Sequence, residues 1–127
     1  MRGRSEEGWW GAVLDAPDAP ALARFYADLL GWRVAKEEPD WAAIAPPSGV
    51  SYLGFQTSPA YVPPVWPPVE GEQQMMMHLD IEVDDLGAAV EDALALGARL
   101  AEHQPQENVR VMLDPAGHPF CLYLGES

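Results

Sequence analysis

The sequence predicts an α+β domain made of two successive β-α-β-β-β modules, on three observations. An aspartate suited to capping a helix, an apolar helical stripe and a terminating glycine recur in the same order in each half. Their offsets are nearly constant: Asp18 and Asp85 stand 67 residues apart, Gly31 and Gly97 stand 66 apart, and Gly49 and Gly117 stand 68 apart. Short strand-like runs bounded by Pro, Gly and Asp follow the stripe in both halves, and a repeat of this kind is sought before any fold is named.

Residues 9–16, "WWGAVLDA", form an apolar run that reads as a strand. In the "PDAP" that follows, Asp18 caps a helix and Pro20 occupies its first turn. Leu22, Phe25, Tyr26, Leu29 and Leu30 share one helical face, and Gly31 ends a helix expected over 18–30. "WRVAKE", "WAAIA" and "SYLGFQ" are three strands separated by the breakers "EPD" and "PPSG", which completes a first module at about 9–56. The segment at about 57–74 is too rich in proline for helix or central strand and reads as a linker, with Tyr61, Val62 and Trp66 available to fold back on the body. A second module, at about 75–126, opens on the alternating strand "MMHLDIEV". Asp85 caps a helix over 85–96 with Leu86, Val90, Ala93 and Leu94 on its inner face, and Gly97 stops it. "ARLAEH", "NVRVML" and "PFCLYL" follow as strands, with "DPAGH" as the turn before the last.

At 127 residues and 48% apolar content the chain is sized for a single domain, residues 1–127, with a core of its own. Twenty acidic against seven basic side chains leave a formal charge of −13, which repels phosphate backbones and anionic lipid and so argues against nucleic-acid and membrane partners. A neutral or cationic small molecule fits that field. Cys121 is the sole cysteine and has no internal disulfide partner. No apolar stretch follows Arg2 and Arg4, and none elsewhere approaches the roughly 20 apolar residues of a membrane span. A cytoplasmic location is the expectation.

The module order, together with "ALARFYADLLGWRV" in the first half and "HLDIEVDDLGAAVEDALALGARL" with "DPAGHPFCLYL" in the second, resembles the vicinal oxygen chelate superfamily. This is the group of glyoxalases, bleomycin-resistance proteins and extradiol dioxygenases, and the likeness is nearest to its glyoxalase-like domain subgroup. It runs from about Trp9 to Leu124. The resemblance implies that the modules together form an open, eight-stranded, barrel-like sheet with helices outside and a ligand cleft within. It also implies that metal-dependent members draw one ligand from the first and last strand of each module.

Those four positions are directly legible. Alternation puts His78, Asp80 and Glu82 on one side of their strand, and His78 stands at a ligand position. The equivalent of His78 in the first module, 67 residues earlier, is Gly11, which has no side chain to donate. On the closing strands the position four residues after the turn glycine gives Leu53 and Cys121. Leucine binds no metal, and cysteine binds as a thiolate, favouring soft or borderline ions. With only His78 and Cys121 as residual candidates, no tightly bound metal or other cofactor is expected. A divalent ion would require rescue by Gln56, Asp15 or Asp80 through a one-residue slip of a strand.

Other readings stay open at this stage. His78 is either a hydrogen-bonded binding residue or an acid/base group and candidate catalytic residue. Cys121 is either a small buried hydrophobe or half of a Cys/His pair. His103 and His118 read as surface or turn residues, and Met75, Met76 and Met77 as gap fillers at a strand start. Five tryptophans supply large faces for stacking, Trp9, Trp10 and Trp32 in the core or a dimer contact, and Trp41 and Trp66 as cleft candidates. The expected ligand-binding set is therefore Trp41, Leu53, Tyr61, Trp66, His78, Asp80 and Cys121. The expected function is bleomycin-resistance-like binding of a small, neutral or cationic, possibly aromatic organic molecule by a homodimer without a complete metal site. The alternative is a metal-dependent or His78-assisted lyase, isomerase or dioxygenase of the same superfamily.

Overall fold

A computed structural model describes residues 1–125, and the chain divides into two compact units, residues 1–61 and the residues from Val62 onward. Glu126, the last residue expected in the second module, lies outside the described residues. Each unit carries one four-stranded sheet and one helix, so the α+β expectation and the order of the two modules hold.

In the first unit, β1 (Trp10–Ala16), α1 (Ala19–Leu30), β2 (Arg33–Glu38), β3 (Trp41–Ala45) and β4 (Ser51–Thr57) follow the chain. The sheet order is β1-β4-β3-β2, with β1 parallel to β4. Asp18 adopts extended backbone and its carboxylate accepts from the Ala21 N–H at 3.2 Å. Gly31 closes α1 in the left-handed region at φ 71°. A cap of this kind contributes about 1 kcal/mol. Between the two ends Leu22, Phe25 and Tyr26 are buried. Tyr26 stacks on Phe55 of β4 with ring centroids 5.8 Å apart, which fixes the side of the sheet that the helix covers. Ala42, Ile44 and Phe55 are wholly buried, and Arg24 reaches Glu37 of β2 at 2.7 Å.

The second unit repeats the grammar with β5 (Leu79–Val83), α2 (Leu86–Ala95), β6 (Arg99–Leu100), β7 (Val109–Leu113) and β8 (Pro119–Leu124), in sheet order β5-β8-β7-β6. Asp85 caps α2 through the Ala88 N–H at 3.0 Å. Leu86, Ala89, Val90 and Ala93 form the inward stripe, while Leu94 stays 45% exposed because it lies about 100° around the helix from Ala93. Phe120, Leu122 and Met112 fill the core of this unit.

Three local expectations are corrected. The strand expected from Met76 begins at Leu79, where the parallel ladder pairs Leu79 with Phe120; the next position along β8 is Pro119, which has no N–H to continue it. Met76 and Met77 accordingly lie exposed rather than filling gaps. Strand β6 has two residues instead of six. Past Leu100, the Ala101 N–H still donates to Val111, but the Gln104 carboxamide then takes the place of a strand backbone. Its oxygen accepts from the Val111 N–H, and its NH2 donates to the Val111 and Ala101 carbonyls, each at 2.8 Å. The segment between β4 and β5 runs on to His78 without regular structure. Within the second unit it packs Pro63 against Gly117 and anchors Trp66, whose indole N–H donates to the His103 carbonyl at 3.1 Å.

The "DPAGH" turn is organised by Asp114, 1% exposed. Its Oδ1 accepts from the N–H groups of Ala116 and His118 at 2.9 and 3.0 Å, which leaves Gly117 to take the left-handed φ of 93°. Removing a buried acceptor of two N–H groups costs about 2 kcal/mol. Asp114→Ala is expected to lower Tm by several degrees, and Asp114→Asn, which keeps one oxygen, by less; equal Tm values for both variants and the parent would count against this role.

Candidate functional site

Since α1 covers one side of the first sheet, alternation assigns every remaining side chain to the other. Trp41, Ala43 and Ala45 of β3, Tyr52, Gly54 and Gln56 of β4, and Gly11, Val13 and Asp15 of β1 point away from the helix. Ala42, Ile44, Leu53 and Phe55 point toward it. The Gln56 NH2 donates to Asp15 Oδ1 at 2.6 Å on the side away from the helix. A cavity of about 390 Å3 opens on that side, lined by Trp9, Trp41, Tyr52, Arg33 and the methyl groups of Ala35, Ala43 and Ala45.

Two glycines make this lining. A Cβ on Gly54 would stand 2.5 Å from the Trp41 ring, and one on Gly11 would meet the Tyr52 backbone carbonyl oxygen first and Cγ of its ring at 2.8 Å. Both aromatic rings therefore lie over backbone where any other residue would push them off. Strand pairing also sets the correspondence between modules. Val13 pairs with Gly54 as Asp80 pairs with Cys121, so the counterpart of Cys121 is Gly54, not Leu53. Counting from the turn glycines misses by one residue because Gly49 and Gly117 are 68 apart while the strands repeat at 67. A one-residue error changes faces.

In the second unit the side of the sheet away from α2 carries Asp80 and Glu82 of β5, Cys121 and Tyr123 of β8, and Val109 and Val111 of β7. His78 stands just before β5. Its Nε2 lies 3.0 Å from Asp80 Oδ1, and an ionised carboxylate only accepts, so the imidazole donates through Nε2. Donor atoms of His78, Asp80 and Cys121 all lie within 4.8 Å of one another. They border a cavity of about 310 Å3 shared with Asn108, Val109 and Tyr123. Burial, and next the negative charge of Asp80 and the hydrogen bond to its carboxylate, push the Cys121 thiol above its ordinary range. At neutral pH the group is a thiol, a weak nucleophile. The cluster can hold a proton on His78 or present nitrogen, oxygen and sulfur together.

The expected ligand-binding residues thus fall into separate places. Trp41 lines the first cavity, and His78, Asp80 and Cys121 border the second. Leu53 faces the helix side, Trp66 is tied to His103 with ring centroids 5.9 Å apart, and Tyr61 ends the first unit half-buried. Sequence reasoning missed Arg33 and Tyr52, though the alternation of "SYLGFQ" carried the signal for Tyr52 once the helix side was known. The superfamily's four-ligand metal does not fit: two of its four positions are Gly11 and Gly54, roofed by Tyr52 and Trp41.

Because its thiol is held above the ordinary range, Cys121 is expected to react with iodoacetamide with a half-maximal rate at a pH above that of free cysteine. Asp80→Asn removes a charge that opposes the thiolate and is expected to move that midpoint down, without abolishing the part due to burial. A midpoint at or below that of free cysteine would contradict the assignment.

Similar folds occur in solved structures. A glyoxalase/bleomycin resistance protein/dioxygenase family enzyme from Burkholderia phytofirmans PsJN is 18% identical with a TM-score of 0.65, the match covering 94% of this chain and 98% of that one. Protein ATC0852 from Agrobacterium tumefaciens is 19% identical with a TM-score of 0.67, over 98% and 99% of the two chains. The fosfomycin resistance protein FosX from Mesorhizobium loti is 15% identical with a TM-score of 0.63, over 99% and 94%. No curated protein matches the chain. At these identities the likeness is one of fold, and it agrees with a family model described as a glyoxalase-like domain that matches residues 11–123; the chain belongs to the glyoxalase-like domain family.

Proposed function

We propose that the protein binds a small, planar organic molecule on the first module, stacked on Trp41 and Tyr52. The observation that carries this reading is the pair of aromatic rings laid over Gly54 and Gly11 beside a cavity of about 390 Å3. That volume lies within the range of small-molecule sites, and an apolar wall with a single charged group is their usual composition. Of the neutral and cationic ligands that the overall charge allows, the lining favours the neutral, since Arg33 stands in it. A carbonyl or nitro oxygen on the ligand would meet that guanidinium. Proteins named for resistance to bleomycin or fosfomycin stand among the structural neighbours, and binding without chemistry is the simplest function for such a wall. Fold alone does not assign a ligand, so the reading rests on the lining.

Calorimetric titration of a panel of neutral planar aromatics tests it. At least one is expected to saturate at one per chain. Trp41→Ala is expected to weaken binding about tenfold, the loss of one stacking face plus its area, while Trp66→Ala, in the second unit, leaves it unchanged. A panel without a saturating member, or equal effects of the two variants, would refute the assignment.

A homodimer in a reducing cytoplasm belongs to the same reading. The support is Trp10 and Val13, 61% and 42% exposed on β1 at the edge of its sheet, the commonness of two-fold pairing, and the single unpaired cysteine. Among the described residues no helix is long and apolar enough to cross a membrane. Light scattering at micromolar concentration is expected to give twice the chain mass of 13.9 kDa; a monomer mass would remove the dimer from the proposal.

A further inference from the structure

The second module holds an assembly that aromatic-ligand binding does not use. We propose that His78, Asp80 and Cys121 form a binding site for a thiophilic divalent cation of the zinc class, held within one module by one nitrogen, one oxygen and one sulfur. This is not the four-ligand arrangement tested above, because Asp80 is no part of that set and the first module contributes nothing.

Three observations on these residues support it. Their donor atoms already lie within 4.8 Å of one another, whereas three ligands around a tetrahedral zinc stand about 3.3 to 3.7 Å apart at ordinary bond lengths. Rotation of half-exposed side chains closes that gap, for His78 and Asp80 have 38% and 58% of their side-chain surface accessible. One pair is already joined through a proton, since His78 Nε2 donates to Asp80 at 3.0 Å, and Cys121 borders the same cavity as both. A cation seated at Asp80 displaces the imidazole proton from Nε2, which leaves Nδ1 as the protonated nitrogen, and displaces the thiol proton, which passes to solvent. Carboxylate and thiolate together then carry two negative charges, which neutralise a divalent ion.

Donor type decides the class of ion. Magnesium and calcium require oxygen ligands throughout, while a set of imidazole, carboxylate and thiolate selects zinc, cadmium or cobalt. The adjoining cavity of about 310 Å3 leaves the fourth position open to water or a small ligand, the pattern of three protein ligands plus an exchangeable one. The protein's charge of −13 raises the local cation concentration.

The test uses the full chain, reduced with a phosphine and stripped of metal, titrated with Cd2+ alone. An ultraviolet thiolate-to-cadmium charge-transfer band is expected to saturate at one ion per chain and to be absent in Cys121→Ser. Competition with a chromophoric chelator is expected to show Zn2+ affinity reduced at least tenfold in Asp80→Asn and in His78→Ala, and unchanged in Trp41→Ala. Zn2+ is also expected to protect Cys121 of the unmodified protein from iodoacetamide, a readout independent of any variant's folding. No charge-transfer band with no protection, or Zn2+ affinity in Asp80→Asn within twofold of the parent, would overturn the site. Loss of aromatic binding in Trp41→Ala with cadmium binding intact would separate the two proposals.

Discussion

Everything in the two sites depends on the two-residue period of a strand under a helix that covers one face only. Once Tyr26 of α1 stacks on Phe55, Leu53 and Ile44 are committed to the core, and Tyr52, Gly54 and Trp41 to the opposite side. The same argument in the second module commits Phe120 and Leu122 to the core and leaves Cys121 and Tyr123 beside Asp80 and Glu82. Functional side chains have no freedom to choose a face; they inherit it from the apolar residues between them. Helix caps at Asp18 and Asp85 matter for the same reason, since they start each helix at a fixed distance from the strand before it.

On that shared frame the modules use matching positions for opposite chemistry. Gly11 and Gly54 occupy the places that His78 and Cys121 occupy 67 residues later. A glycine at such a place is not merely a missing ligand. Its bare backbone lets an aromatic ring descend onto the sheet, and the Trp41 and Tyr52 rings then fill the space a first-module ligand would need. Simple replacement of Gly11 by histidine would therefore not rebuild a four-ligand centre, because its Cβ meets Tyr52 before the imidazole reaches any ion.

Much of the frame was legible in the sequence because capping and termination are local. Asp18, Gly31, Asp85 and Gly97 each act through the backbone within a few residues of themselves, and the helix limits followed within one residue. Less legible were features set by distant partners. The start of β5 depends on Pro119 of β8, forty residues away, and the length of β6 depends on Gln104 reaching the Val111 backbone. The site was half legible for the same reason. Alternation along β5 put Asp80 on the side of His78, yet nothing local distinguished the turn before β8 from the one before β4, which is longer by one residue. Leu53 was therefore assigned a position that Gly54, its neighbour on the other face of the strand, holds.

The charge pattern follows from this division. Arg33 stands with Trp9, Trp41 and Tyr52 on the first sheet, whereas the second presents His78, Asp80, Glu82 and Cys121 on the side away from its helix. An aromatic wall gains from a neutral, planar guest, since burial of apolar area is its main source of affinity. A cluster of carboxylate, thiol and imidazole gains from a cation that replaces its protons. On the two proposals, one duplicated scaffold offers two surfaces whose guests differ in charge, and a molecule suited to one is poorly suited to the other.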